Sequence, residues 1–204
     1  MQTQLRYTLF AGVNGAGKST LFRSDLWDSS TIAPNTPRVN SDEILLASGW
    51  DWTDSTAQLR AGKEALRIVK TCLEQRVSFN QETTLTGRTI MRFIAQAKEL
   101  GFYITLYYVG IEDPEIANRR IAYRVTQGGH GIDPDTVRRR AKASFDNLVQ
   151  AVPLCDEVFL FDNTYLLKPM ARFFAGDLVS YENQSIDVTW IHETMMRLIA
   201  NSET

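Results

Sequence analysis

Apolar residues fall along this chain in two alternating rhythms, short unbroken runs and runs spaced three or four apart. Tyr7, Leu9, Phe10 and Ala11 make an apolar run that stops at glycines, the pattern of a buried strand, and a helix is predicted to begin near Lys18. Residues 28–37 carry Ser, Thr, Asn and two prolines, a loop composition, before a brief extended piece at 38–40 that would be a second strand. A short helix follows at 43–48. Over residues 57–76, Ala61, Ala65, Ile68, Val69 and Cys72 mark the buried stripe of a longer helix, and residues 77–81 read as a strand ending at Glu82. Ile90, Phe93, Ile94 and Ala97 repeat the helical spacing, Gly101 is a helix stop, and residues 102–109 are apolar and aromatic enough for a central strand.

The second half continues the alternation. Asp113-Pro114-Glu115 and Asp133-Pro134-Asp135 each combine an N-cap, a proline at the first helical position and a first-turn acid, so each starts a helix. Between these helices, residues 126–132 are glycine-rich and predict a mobile loop. Residues 158–161 read as another buried strand, 170–174 and 178–181 as an edge hairpin around Gly176-Asp177, and 190–199 as a terminal helix. The alternation implies an α/β fold, a mostly parallel sheet with helices on both faces.

Composition adds limits. With 204 residues, 44% of them hydrophobic, the chain can bury one core, and residues 1–204 are expected to form a single domain. A formal net charge of −2 gives no overall footprint for nucleic acid. No apolar run approaches the roughly 20 residues of a membrane span, and residues 1–7 are too polar for a secretory signal core, so no membrane partner and a cytoplasmic location are expected. Cys72 and Cys155 lack C-x-x-C spacing and read as ordinary buried residues.

The sharpest chemical signal is the glycine-rich stretch after the first strand. Gly12-Val-Asn14-Gly15-Ala16-Gly17-Lys18-Ser19 satisfies G-x-x-x-x-G-K-S/T between a strand and a helix, the context of a P-loop. Gly15 and Gly17 let the backbone wind tightly and aim N–H groups at phosphates, with Thr20 closing the motif at the helix start. Lys18 would neutralise the β and γ phosphates, and the Ser19 hydroxyl would ligate Mg²⁺, which makes ATP the expected cofactor. The whole is then a P-loop three-layer sandwich.

A P-loop alone admits several machines. Residues 14–20 also look like the phosphate loop of ABC-type ATPases, with Val158 to Asp162 as a Walker B strand. Yet Gln127-Gly128-Gly129 only faintly echoes their L-S-G-G-Q motif, and Asn163 stands where a catalytic glutamate would. A kinase needs an acidic base, an acceptor pocket and arginines on a closing lid. Asp42, just beyond the second strand, can accept the acceptor's hydroxyl proton, or it can serve as a helix cap. Glu82, Thr83 and Thr84 end the next strand at the carboxyl edge of the sheet, and Glu82 can grip the acceptor or hold Mg²⁺ through water. Arg119, Arg120 and Arg124 precede the glycine-rich loop and Arg138, Arg139 and Arg140 follow it, a helical lid over roughly residues 114–150 whose guanidinium groups can fork onto phosphate oxygens. These arginines have no interleaved aromatics, which argues against nucleic acid. His130 is a lone histidine in the loop. Trp50 and Trp52 follow the candidate base, where an aromatic can stack on a base or pack as core.

Taken in order, residues 12–20, Asn40-x-Asp42, Glu82-Thr83-Thr84, the segment from Arg124 to His130, and Arg138-Arg139-Arg140 resemble the short form of the zeta-toxin family over about residues 7–163. That resemblance implies an ATP- and Mg²⁺-dependent kinase whose best-known relatives phosphorylate an amino-sugar hydroxyl of UDP-N-acetylglucosamine. It implies Lys18 on the phosphates, Asp42 as base, and Glu82, Thr83 and Thr84 toward the UDP-sugar. It places Arg124 and one of Arg138 or Arg139 at the γ-phosphate. It also implies an antitoxin that covers the nucleotide site. Kinases of other small metabolites and an ABC-like ATPase without an acceptor are the alternatives.

Overall fold

The computed structural model describes residues 4–51, 53–129, 131–182 and 188–202. Trp52 and His130, singled out above, lie outside the described residues. Seven strands among them form one sheet: β1 (Arg6–Ala11), β2 (Arg38–Val39), β3 (Phe79–Thr83), β4 (Tyr103–Gly110), β5 (Glu157–Asp162), β6 (Lys168–Phe174) and β7 (Asp177–Tyr181). Their order is β2-β3-β1-β4-β5-β6-β7. The first five are parallel, and the hairpin β6-β7 adds two antiparallel strands at the β5 edge. Connecting them are helices α1 (Lys18–Phe22), α2 (Ser41–Ala47), α3 (Ser55–Glu74), α4 (Arg88–Glu99), α5 (Pro114–Thr126), α6 (Pro134–Ala151) and α7 (Thr189–Ser202). This is the predicted α/β architecture with a mostly parallel sheet. No helix among the described residues is long and apolar enough to cross a membrane.

Strand periodicity gives the sheet one core on each face, and a small third cluster, Leu45 with Ala57 and Ala61, joins α2 to α3. Tyr7, Leu9 and Ala11 of β1, Ile104, Leu106 and Tyr108 of β4, and Val158 and Leu160 of β5 pack with residues of α3, α4, the end of α6 and Trp190 and Ile191 of α7. The residues between them, Phe10, Tyr107, Val109 and Phe161, join a second core with Leu21 of α1, Ala117 and Ile121 of α5 and Val137 of α6. Alternate side chains of a strand point to opposite faces, so helices cover both sides of the sheet. Helix α6 belongs to both cores, Val137 to the second and Leu148 to the first.

Most element boundaries differ from the sequence expectation by one to three residues, and the end of α3 and the start of β3 shift for one shared reason. Arg76 is not the last residue of α3 but adopts a left-handed backbone (φ 54°) just beyond it. Val77 N–H then donates to Cys72 O (2.9 Å) and Arg76 N–H to Leu73 O (3.2 Å), the paired bonds of a Schellman stop. Val77 is spent on that turn, so β3 begins at Phe79 and runs on to Thr83, which brings Glu82 into the strand opposite Phe10.

Candidate active site

The carboxyl ends of β1 to β5 converge, and the loop after β1 wraps back onto α1. Gly12 (φ 137°) sits against the Val109 carbonyl, and Gly17 (φ 113°), the N-cap of α1, sits against the Asn163 side chain. A Cβ at either position would collide with those atoms in a backbone conformation that disfavours side chains. The Lys18 side chain is buried, 7% exposed, and its Nζ donates to the Val13 carbonyl at 3.2 Å. Burial holds its pKa below the ordinary lysine value, Glu82 and Asp42 pull it back up, and Arg124 and Arg140 push it down further. An arriving polyphosphate would relieve that penalty.

Glu82 is a hub. Its carboxylate accepts from Ser19 Oγ (2.9 and 3.2 Å to the two oxygens), from Arg38 Nη2 (2.8 Å) and from Asn40 Nδ2 (3.2 Å). Arg38, which the sequence reading passed over, is ion-paired to both Glu82 and Glu43. Its hydrophobic neighbour was visible only as an aromatic 16 residues earlier, Phe22, over whose ring the guanidinium lies at 3.6 Å. Oxygen donors from a serine hydroxyl and a carboxylate suit a hard cation such as Mg²⁺.

Asp42 is not the cap of α2. Asn40 takes that position, its side chain accepting from Asp42 N–H at 2.9 Å, which leaves the Asp42 carboxylate in the first turn, exposed and on the wall of the cavity. That cavity has a volume of about 430 Å³ and is lined by Asn14, Gly15, Gly17, Lys18, Ser19 and Thr20 with Asp42, Glu82, Arg120, Ile121, Arg124 and Asn163. Gly12 and Ala16 lie beneath it as buried parts of the loop. Thr83 and Thr84 are not on its wall. Thr83 Oγ1 accepts from Leu85 N–H at 3.1 Å and Thr84 Oγ1 lies 2.8 Å from Thr86 Oγ1, so both shape the turn after β3.

The arginines divide by helix phase. Arg120 and Arg124 line the cavity, and Arg120 Nη2 also donates to the carbonyls of Asn163 (2.8 Å) and Thr164 (3.3 Å). Arg138 turns away: it is exposed and bonded to Glu115 (2.6 Å) and Asp135. Arg139 is also exposed, with a 3.5 Å contact to Thr136 Oγ1. Arg140 instead reaches the phosphate loop, Nη1 donating to Asn14 Oδ1 at 2.8 Å. Burial lowers its pKa first, Arg139 adds to that, and Asp42 opposes it. Arg140 stands three residues after Val137 and four before Ser144, both buried, so it borders the packed face of α6.

Asp162 ends β5 where an ABC-type reading would want a metal-holding carboxylate. It is 3% exposed and fully engaged: Oδ1 accepts from Trp190 Nε1 (3.0 Å) and Thr164 Oγ1 (2.8 Å), and Oδ2 from Thr164 N–H (3.1 Å). Asn163 Nδ2 donates to Ala16 O at 2.7 Å. Glu112 N–H donates to Thr164 Oγ1 (3.0 Å), and Glu112 Oε1 accepts from Thr189 N–H (3.0 Å). The loop after β5 is thereby tied to the phosphate loop on one side and to the start of α7 on the other.

These features define an α/β protein with a P-loop kinase-like fold. A chain of the AvrRxo1-ORF1:AvrRxo1-ORF2 crystal structure with sulphate ions superposes with a TM-score of 0.69 at 19% identity, covering 92% of this chain. The protein spans only 64% of that neighbour. The same pair solved with ATP matches at a TM-score of 0.61 and 16% identity, over 92% of this chain and 64% of the neighbour. A chain from the PezAT chromosomal toxin–antitoxin system of Streptococcus pneumoniae gives 0.60 at 17% identity, over 100% of this chain and 88% of that one. No family model matches the chain. An uncharacterised protein of Haemophilus influenzae is 36% identical over 137 residues, 67% of this chain and 93% of the relative, and the chain belongs to the family of that protein.

Proposed function

We propose that the protein is an ATP-dependent kinase that transfers the γ-phosphoryl group to a hydroxyl of a small acceptor, a UDP-activated sugar such as UDP-N-acetylglucosamine being the first candidate. The observation that carries this reading is one cavity whose wall combines Lys18 and Ser19 of the phosphate loop with the carboxylates of Asp42 and Glu82 and the guanidinium of Arg124. Neighbours solved as toxin–antitoxin and ATP complexes support the same direction.

In this reading the loop N–H groups and Lys18 hold the β and γ phosphates. Mg²⁺ bound at Ser19 would supply charge neutralisation to the phosphates. Asp42 orients the acceptor hydroxyl and takes its proton, which an exposed carboxylate can then release to water. Arg124 and Arg140 stabilise the negative charge on the migrating group, and Arg138 and Arg139 serve the surface of a lid over residues 114–150. Glu82 lies between the phosphate loop and β2, and Thr83 and Thr84 shape the acceptor side through the turn they build. A separate antitoxin chain covering the cavity would silence the enzyme by excluding ATP.

Incubation with ATP, Mg²⁺ and a panel of UDP-sugars should give a product heavier by one phosphate, and Asp42→Asn should abolish it. If no UDP-sugar is modified, the same mass comparison on a whole metabolite extract tests other hydroxyl acceptors. ATP hydrolysis that proceeds unchanged in Asp42→Asn, with no phosphorylated product in either mixture, would overturn the kinase reading.

A further inference from the structure

We infer that Arg38 is a positioning residue that locks Glu82 beside Ser19 as the carboxylate serving a divalent cation, in place of Asp162. This rests on the nucleotide-binding reading above and concerns the same cavity.

Three observations carry it. First, Asp162 is not available, because both its oxygens accept from Trp190 and Thr164 and it is 3% exposed. Asp162 also lies off the cavity wall, whereas Glu82, which accepts hydrogen bonds of its own from Ser19, Arg38 and Asn40, lies on it, so position separates the two carboxylates. Second, Glu82 stands on the cavity wall and already accepts a hydrogen bond from the Ser19 hydroxyl at 2.9 Å. When a serine oxygen ligates a cation its proton must be donated elsewhere, and the present bond supplies that acceptor without rearrangement. Third, Arg38 admits one orientation. Its Nη2 reaches Glu82 (2.8 Å), Nε reaches Glu43 (2.9 Å), Nη1 reaches Asn80 (3.1 Å), and its plane rests on Phe22. A planar fork bonded along several directions and stacked on a ring fixes its carboxylate partner in a way a lysine cannot reproduce. Hydrogen-bonded supports of this kind typically alter metal affinity by about 10–100-fold when removed. The arrangement also assigns Glu82 to the cation in preference to the acceptor, since the bonds it makes all lead to the phosphate-loop side or to its own supports.

The test is a titration of Mn²⁺ in the presence of a non-hydrolysable ATP analogue, followed by electron paramagnetic resonance, with analogue binding in EDTA measured separately by calorimetry. Arg38→Met and Glu82→Gln should each weaken Mn²⁺ by about tenfold, Arg38→Lys should fall between them and wild type, and analogue binding in EDTA should hold within about twofold. Asp162→Asn, which keeps an acceptor for Trp190, should leave Mn²⁺ affinity within about twofold of wild type. Arg38→Met and Glu82→Gln at wild-type Mn²⁺ affinity, or a tenfold loss in Asp162→Asn, would overturn the inference. Should Arg38→Met fail to fold, as judged by circular dichroism, Glu82→Gln and Arg38→Lys decide the question. Wild-type protein that binds no analogue either in EDTA or with Mn²⁺ present refutes the phosphate-loop reading itself, which distinguishes that failure from this one.

Discussion

Replacing Trp190 by Phe tests whether α7 is a working part of the site. The indole donates from Nε1 to Asp162 Oδ1 at 3.0 Å, with Trp190 at 8% and Asp162 at 3% exposure. Phenylalanine keeps the ring against Tyr108 and removes only the donor and part of the volume. Hydrogen bonds to a charged group contribute roughly 1.5–3 kcal/mol, and Asp162 keeps its two bonds from Thr164, so the lower half of that range, about 2 kcal/mol, applies. The lost volume, roughly 40 Å³, adds about 1 kcal/mol if the site does not collapse. The total is about 3 kcal/mol, which in urea, at a slope of about 2 kcal/mol/M, lowers the midpoint by about 1.5 M. A double-mutant cycle of Trp190→Phe with Asp162→Ala should return a coupling of about 2 kcal/mol. A change below about 0.5 kcal/mol for Trp190→Phe, or additive effects in the cycle, would refute the link between α7 and the loop after β5.

Further outcomes follow from the same geometry. Arg140→Met should lower phosphoryl transfer by about 10³-fold with ATP affinity changed less than about fivefold, whereas Arg138→Met should change transfer by less than about threefold; single-turnover transfer measured side by side checks this, and the opposite ranking refutes the phase argument for α6. Burial raises the pKa of Tyr107 and Tyr108 from 10.0 to about 12, and that of Cys155 from 9.0 to about 12. These acids keep their protons in the folded state when the unfolded chain has lost them, so stability is fully present below about pH 9 and falls as pH rises from there toward about 12. Thermal melts across that window should show the decline, and Tyr108→Phe should make it shallower.

Much of this was legible in the chain. The strand and helix rhythm gave the parallel sheet, and the two Asp-Pro starts of α5 and α6 hold, with Asp113 bonded to Glu115 N–H and Asp133 to Thr136 N–H. The register of β3 was less legible, because Asn80, Gln81 and Glu82 are polar yet lie in a strand, where Arg38, Asn40 and Tyr7 supply partners far away in sequence. A window of local residues cannot count such partners. The three consecutive arginines of α6 present a related difficulty: side chains 100° apart on a helix face different surroundings, and which one meets the phosphate loop depends on the packing phase set by Val137 and Leu148. Trp190 showed no chemical signature at all, since its partner Asp162 lies 28 residues earlier.

The bond from Lys18 to the Val13 carbonyl has a consequence for ligand selection. An ammonium carries three N–H donors, and this bond uses one of them. The loop's own carbonyl thereby fixes where the charge sits and leaves the other donors for an arriving oxygen. A neutral group offering a weak acceptor gains little there, whereas a triphosphate can take charge-assisted bonds from the remaining donors without displacing the first. The resting loop thus holds its cation in place before any ligand arrives, a preorganised site that favours strongly anionic ligands.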